Sequence, residues 1–295
     1  MVRPHRDPLR FGFTLIEFLV AAGILGILVA ILIPYVLNAR EMSRRTECRG
    51  RLGQIGIALA QYARDQGPNA PLPQTVYDPA HHPAGYVAYT GPDEPHPFAK
   101  NSAVKPNDIT ASLWLLVRCG YVKDTAVFIC PSTDDQPDVL PSGADAAQRR
   151  GNFRSPENLS YSYASPFTDA LDFAFSNDRL PHEFAVMADK NPGFDCDGTK
   201  VLGPRRDAPP FQLAKGNSPN HGGAGQNVLH PSGDVSFETT PYCGVSQDNI
   251  YTAVAPHRLH AEHPPLDAPG YLGHDIGAAY NYDTYLVPTA RDTAP

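Results

Sequence analysis

The sequence predicts an α+β protein in which one long N-terminal helix, membrane-spanning in its first half, packs on a small antiparallel sheet with long loop insertions. Three observations predict it. An apolar run whose only charge is Glu17 extends from Phe13 to Ile33, and helical periodicity continues past it as far as Gly67. The remainder alternates short strand patterns with stretches dense in Pro and Gly.

The apolar run is about 21 residues, roughly 30 Å as a helix, which matches the hydrocarbon thickness of a bilayer. It is too long for the apolar part of a removable signal peptide, and no small-residue cleavage pattern follows it. A carboxylate inside such a span costs a few kcal/mol even on the mildest scale, so Glu17 calls for a cation. A cut between Gly12 and Phe13 supplies one, because the new α-amino group lies four residues from Glu17 and a neighbouring copy can present it. Gly23 and Gly26, with Ala21, Ala22 and Ala30, offer small surfaces for helix approach. Pro34 removes the amide that would bond the Ala30 carbonyl, so a kink or local melting is expected there.

"GFTLIEF" resembles the processing site of type IV pilins and type II secretion pseudopilins. The resemblance implies that a prepilin peptidase cuts after Gly12 and methylates Phe13. Glu17 aligns with the family's assembly glutamate, and Pro34 falls where the family often has a proline. It also implies a single pass through the inner membrane with the C-terminal body outside the cytoplasm. Charge alone argues otherwise, because Arg40, Arg44, Arg45, Arg49 and Arg51 follow the span while only Arg3, Arg6 and Arg10 precede it. The family's topology is preferred. The expected organisation is a leader over 1–12, a transmembrane and assembly helix over 13–37, its continuation over 38–66, and a loop-rich extracytoplasmic α+β head over 67–295.

In the continuation, Leu52, Ile55, Leu59 and Tyr62 recur at helical spacing, and Gly50, Gly53 and Gly56 leave a flat stripe suited to close packing on a sheet. Residues 68–108 read as a long loop or insertion. "ASLWLLVRCGYV" reads as a short amphipathic helix with Thr110 or Asn107 near its start and Gly120 as its stop. "AVFICPS", "LSYSYAS" and "HEFAVMADK" read as strands. Asn227–His230 and Asp234–Phe237 make a hairpin about Pro231, Ser232 and Gly233. The glycines before it allow close approach to a partner strand or to the long helix.

These landmarks, with "CRGRLGQIGIALAQYARD", "FICPS", "YSYA", "NHGGAGQNVLHPSGDVSF" and "DNIY", resemble a pseudopilin-like planctomycete family. Its members carry a prepilin-type N-terminus and a domain of unknown function with a C-terminal H-x9-DG signature. The chain departs from it where Ser232 and Gly233 replace Asp-Gly, with ten residues separating His221 from that turn. No role of the family's aspartate therefore transfers to Ser232.

Composition narrows the function. Lys plus Arg number 24 against 31 Asp plus Glu, a formal charge of −7, and no basic run follows the helix, so nucleic acid is not an expected partner. Pro and Gly make about 19% of the chain, below the level of disorder but enough for long loops. Cys48, Cys119, Cys130, Cys196 and Cys243 follow no metal-knuckle spacing and read as a partial disulfide framework; Cys119 and Cys130, flanking one helix-to-strand connection, are the candidate pair. Asp195 and Asp197 in "DCDG" have the alternation of a calcium loop but lack its downstream Glu, which makes a solvated turn the plainer reading and calcium the candidate ligand. His257, His260, His263 and His274 read as exposed loop. No nucleophile-and-base motif is present, so an enzyme is not expected.

The resulting reading is a structural pilin-like subunit. Its expected partners are the prepilin peptidase, copies of itself or other pseudopilins, and an inner-membrane assembly platform. The alternative is a membrane-tethered binding or sensing domain that never polymerises, and a third class, an anchored hydrolase, requires a concave pocket with perturbed acid or base groups.

Overall fold

A computed structural model of the protein describes residues 14–78, 86–141, 143, 145–168, 175–193, 201–202, 204–254, 270–272 and 283–288. The first element, α1 (Leu15–Gln66), runs unbroken through Pro34, so the proline does not end it. By compactness the chain divides into Met1–Ser43 and Arg44–Pro295. In the first unit the apolar side chains from Leu15 to Leu37 are exposed on all sides, and α1 is the one helix among the described residues long and apolar enough to cross a membrane.

The N-terminus of α1 is closed by side chains of its own first turn. Glu17 Oε2 accepts from Thr14 N at 2.9 Å and from Thr14 Oγ1 at 2.7 Å, while Thr14 Oγ1 accepts from Glu17 N at 3.3 Å. Thr14 O takes the first helical bond, from Phe18 N. "TLIE" is thus a capping box, with Thr14 at the N-cap and Glu17 three residues on, satisfying otherwise orphaned amides.

In the second unit, Cys48, Leu52, Ile55, Ala58 and Leu59 form the buried stripe of α1. They face an antiparallel sheet in the order β5-β4-β2-β1-β8. Its strands are β1 (Tyr161–Ala164), β2 (Met187–Asp189), β4 (Gln226–Leu229), β5 (Val235–Glu238) and β8 (Leu286–Val287). Tyr161 pairs with Asp189, Met187 with Leu229, and Asn227 with Phe237. A second, three-stranded sheet joins β3 (Val201–Leu202), β7 (Gly270–Leu272) and β6 (Ala253–Val254). The expected hairpin is β4-β5. Gly225, at φ +152°, settles what its glycines approach, because a Cβ there would stand 2.3 Å from the Glu238 carbonyl of the partner strand.

Of the glycine stripe, only Gly56 meets the sheet. A Cβ on it would lie 2.8 Å from Leu229 Cδ1, whereas Gly50 and Gly53 have open space.

The short helix α2 (Ile109–Arg118) is capped by neither Thr110 nor Asn107 but by Asp108. Its carboxylate accepts from Ala111 N and Thr110 Oγ1 through one oxygen, and from Thr90 N and Asn152 Nδ2 through the other. The insertion over 68–108 is therefore stitched to the helix start, with Thr75 Oγ1 donating to Asp108 O. Arg150 forms a buried bidentate pair with Asp138 and lies 4.5 Å over the Trp114 ring. Trp114, Phe153 and Phe128 continue the core edge to face.

"AVFICPS" is not a strand. Thr125–Phe128 form a 3-10 turn capped by Asp124, whose side chain accepts from Ala126 N. Arg51 of α1 then donates to the carbonyls of Ala126 and Ile129. Those oxygens serve the helix instead of a neighbouring strand, and the β-branched residues do not override them.

The two glycines separate by substitution. Gly56→Leu should destabilise the protein by about 1–3 kcal/mol through overpacking against Leu229, and Gly53→Ala should stabilise it by about 0.5–1 kcal/mol through helix propensity. Denaturant unfolding of the detergent-purified full chain checks both.

Candidate functional site

Four groups with metal-ligand chemistry converge inside the second unit. Cys48, Cys130, Asp189 and His221 are all buried, and one donor atom from each lies within 4.8 Å of the others. They come from four separate places in the chain: the buried face of α1, the turn after the 3-10 helix, the end of β2, and the turn that leads into β4.

Local structure fixes each in position. Cys130 is held by the Arg51 bond to Ile129 O and by a turn in which Thr133 N and Oγ1 both donate to Cys130 O. Asp189 ends β2 opposite Tyr161, and its carbonyl accepts from Tyr251 Oη at 2.8 Å. His221 closes a 3-10 turn, Pro219–His221, capped by Ser218 and followed by Gly222 at φ +65°. That left-handed step turns the chain back into β4 at little steric cost. Phe237 packs edge-on against the imidazole, and the Arg45 guanidinium lies 4.5 Å over the far partner of that contact, the Phe237 ring.

The Asp189 carboxylate is the centre of the polar network. Its Oδ1 accepts from Asn220 Nδ2 at 3.0 Å and from the Cys48 thiol at 3.1 Å. Its Oδ2 accepts from Asn227 N at 2.6 Å and lies 3.3 Å from His221 Nε2. The Cys130 sulfur lies 3.8 Å from that same Nε2, and Tyr161 Oη lies 3.4 Å from Cys48 Sγ. Burial alone would lower the His221 pKa, but hydrogen bonds and charge from Asp189 and Cys130 outweigh it and raise it to about 10. The Cys130 thiol is pulled down by hydrogen bonding from Cys48, with His221 assisting, while burial pushes Cys48 well up.

This is not a nucleophile-base-orienter relay. Such a relay uses opposite imidazole nitrogens, one toward the nucleophile and one toward the carboxylate. Here Nε2 faces both Cys130 and Asp189, and all four residues are sealed from solvent.

Of the sequence-derived sites, the structure brings His221 into the cluster and leaves Ser232 and Gly233 in the exposed β4-β5 turn, where the Ser232 hydroxyl bonds the Asp234 carboxylate. Cys119 and Cys130, expected as a disulfide, are both free thiols. Cys119 is exposed at the C-cap of α2, whereas Cys130 is drawn into the core beside Cys48. Glu17 and Pro34 lie on α1. Gly12, Phe13, Asp195, Asp197, Cys196, His257, His260, His263 and His274 lie outside the described residues. Cys48, expected only as part of a disulfide framework, meets Asp189, for which the sequence offers no role, and residues 141 positions apart carry no spacing signal.

Type II secretion system core protein G of Pseudomonas aeruginosa is 41% identical to this chain over 54 residues, which are 18% of this chain and 38% of that protein. The match therefore spans well under half of the relative's length. No protein-family model matches the chain, and no solved structure matches it.

Two outcomes are expected at the cluster. Asp189→Ala strands the Asn220 and Asn227 donors and should cost about 3–5 kcal/mol, read by urea unfolding. Under non-reducing conditions an alkylating reagent should modify Cys119 in the native protein, and Cys48 and Cys130 only after unfolding, as peptide mapping would show.

Proposed function

We propose that the chain is a pseudopilin-like structural subunit, anchored in the inner membrane, cut between Gly12 and Phe13 by a prepilin peptidase, and assembled into a pilus or type II secretion pseudopilus through its N-terminal helix. The observation that carries this reading is the first half of α1, apolar and exposed on every side, with one carboxylate at its start. A segment so exposed needs lipid or other helices around it. The partial identity to a type II secretion core protein supports the same reading.

Assembly then follows from physical chemistry. Copies that meet through identical surfaces related by a rotation that does not close build an open filament. Small residues at Ala21, Ala22, Gly23, Gly26 and Ala30 let helices approach, and the methylated Phe13 amine of one copy pairs with Glu17 of its neighbour. Pro34 lies within the assembly helix without ending it. The partners on this reading are the peptidase, other copies or pseudopilins, and the assembly platform, with the head outside the cytoplasm.

The capping box gives Glu17 a second task, and the two tasks separate by substitution. Glutamine serves a capping box as well as glutamate does, but it carries no charge. Glu17→Gln should therefore leave insertion and processing intact while lowering incorporation by about tenfold or more, the factor that a lost pairing of about 1.4 kcal/mol gives. The experiment is intact-mass and N-terminal analysis of wild type and variant from the native membrane, together with quantification of each in sheared fibres. A chain that begins at methylated Phe13 supports the pathway, and a persistent Met1 defeats it. Wild-type incorporation of the glutamine variant would leave Glu17 with the capping role alone.

A further inference from the structure

We infer that Cys48, Cys130, Asp189 and His221 form a closed, four-coordinate site for a transition-metal ion of the zinc class. The donor set is two sulfurs, one imidazole nitrogen and one carboxylate. Calcium and magnesium require six or more oxygens, so the chemistry selects a borderline ion that accepts thiolate and imidazole together.

The distances fit. Bonds of about 2.3 Å to sulfur and about 2.0–2.2 Å to nitrogen and oxygen give a tetrahedron with nitrogen-to-oxygen edges of about 3.3 Å and sulfur-to-nitrogen edges of about 3.6 Å. The corresponding separations are 3.3 Å for His221 Nε2 to Asp189 Oδ2 and 3.8 Å for Cys130 Sγ to His221 Nε2. All four side chains are buried, as a structural site with no open coordination position requires.

A network of hydrogen bonds alone accounts for the cluster less well. Three polar atoms converge on one imidazole nitrogen: Asp189 Oδ2 at 3.3 Å, Asn227 Nδ2 at 3.2 Å and Cys130 Sγ at 3.8 Å. Nε2 has one proton or one lone pair, so it satisfies one of them. Cys48 has one thiol proton, with the Asp189 carboxylate and the Cys130 sulfur both within reach. A divalent cation at the centre engages the Nε2 lone pair, both sulfurs and the carboxylate at once. Binding displaces the thiol protons and any proton on Nε2 to solvent, and two thiolates, one carboxylate and a neutral imidazole round the divalent ion leave the site with one net negative charge. Asn220 Nδ2 and Asn227 N, which donate to Asp189, and Tyr161 Oη beside Cys48 supply the outer shell that orients such ligands.

The test uses the full chain, purified in detergent without a polyhistidine tag and kept reduced with a phosphine. Metal content is measured by mass spectrometry, before and after dialysis against chelator and reloading with zinc or cobalt alone. The expected results are about one ion per chain and, with cobalt, a sulfur-to-metal charge-transfer band with intense tetrahedral visible bands. Cys48→Ser with Cys130→Ser should remove both signals. Asn220→Ala should lose metal to a competing chelator about 10–100-fold more readily, as a residue that orients a ligand does. A folded, reduced chain that takes up neither ion overturns the assignment. So does a Cys48–Cys130 disulfide in peptides from the unreduced native protein, or a folded double serine variant that keeps its metal. If the double variant does not fold, the wild-type cobalt spectrum decides: a tetrahedral thiolate spectrum supports the site and its absence overturns it. None of these readouts depends on processing or fibre assembly.

Discussion

A carboxylate sealed from water must be met by donors or by a cation, and Asp189 imposes that requirement on three other segments of the chain. It stands at the end of β2, where Asn220 reaches it from the turn before β4, Asn227 from β4 itself, Cys48 from α1 and His221 from the same turn as Asn220. Tyr251 fixes the backbone of the same residue from another side. Each of those groups is placed by ordinary local structure, but their convergence sets how the helix, the sheet and the turns lie together in this unit. The apolar stripe of Leu52, Ile55 and Leu59 supplies the burial energy, which has no direction. The polar cluster supplies the register that burial alone leaves loose.

One helix carries two different surfaces. From Leu15 to Tyr35 its side chains, Glu17 apart, are apolar and exposed all round, the pattern of a helix that needs lipid or other helices. From Cys48 to Leu59 a single face is buried, while Arg49, Gln54 and Ile57 are exposed and Arg51 is half-buried at its flank. Arg51 is no spectator there, since its guanidinium takes the Ala126 and Ile129 carbonyls and so delivers Cys130 to the cluster. The arginines that complicate a topology argument from charge alone thus include one whose place is set by folding.

What could be read from the sequence was whatever rests on short-range pattern. The span and its helical continuation depend on period and length, and the boundaries of α1 fall within two residues of those expected. The β4-β5 hairpin depends on alternation and a Pro-Ser-Gly turn, and it forms as expected. The capping box was also local, in "TLIE", but was hidden by a second explanation for the same glutamate. "AVFICPS" has strand composition, yet Asp124 caps a tight turn and a helix arginine claims the carbonyls, so tertiary hydrogen bonding overrides propensity. The cysteines misled for the same reason. Cys119 and Cys130 are neighbours in sequence, whereas Cys130 meets Cys48 across 82 residues and His221 across 91, and no spacing rule carries a contact that far.

The strands of the larger sheet have two to four residues each, and much of the unit between them is loop. A cross-link or metal that closes a long loop removes chain entropy from the unfolded state. An ion held by Cys48, Cys130, Asp189 and His221 closes a long loop, from α1 to the turn before β4. It also takes up the one imidazole nitrogen that faces three polar atoms. The same four residues then explain why the helix docks on this sheet in one register.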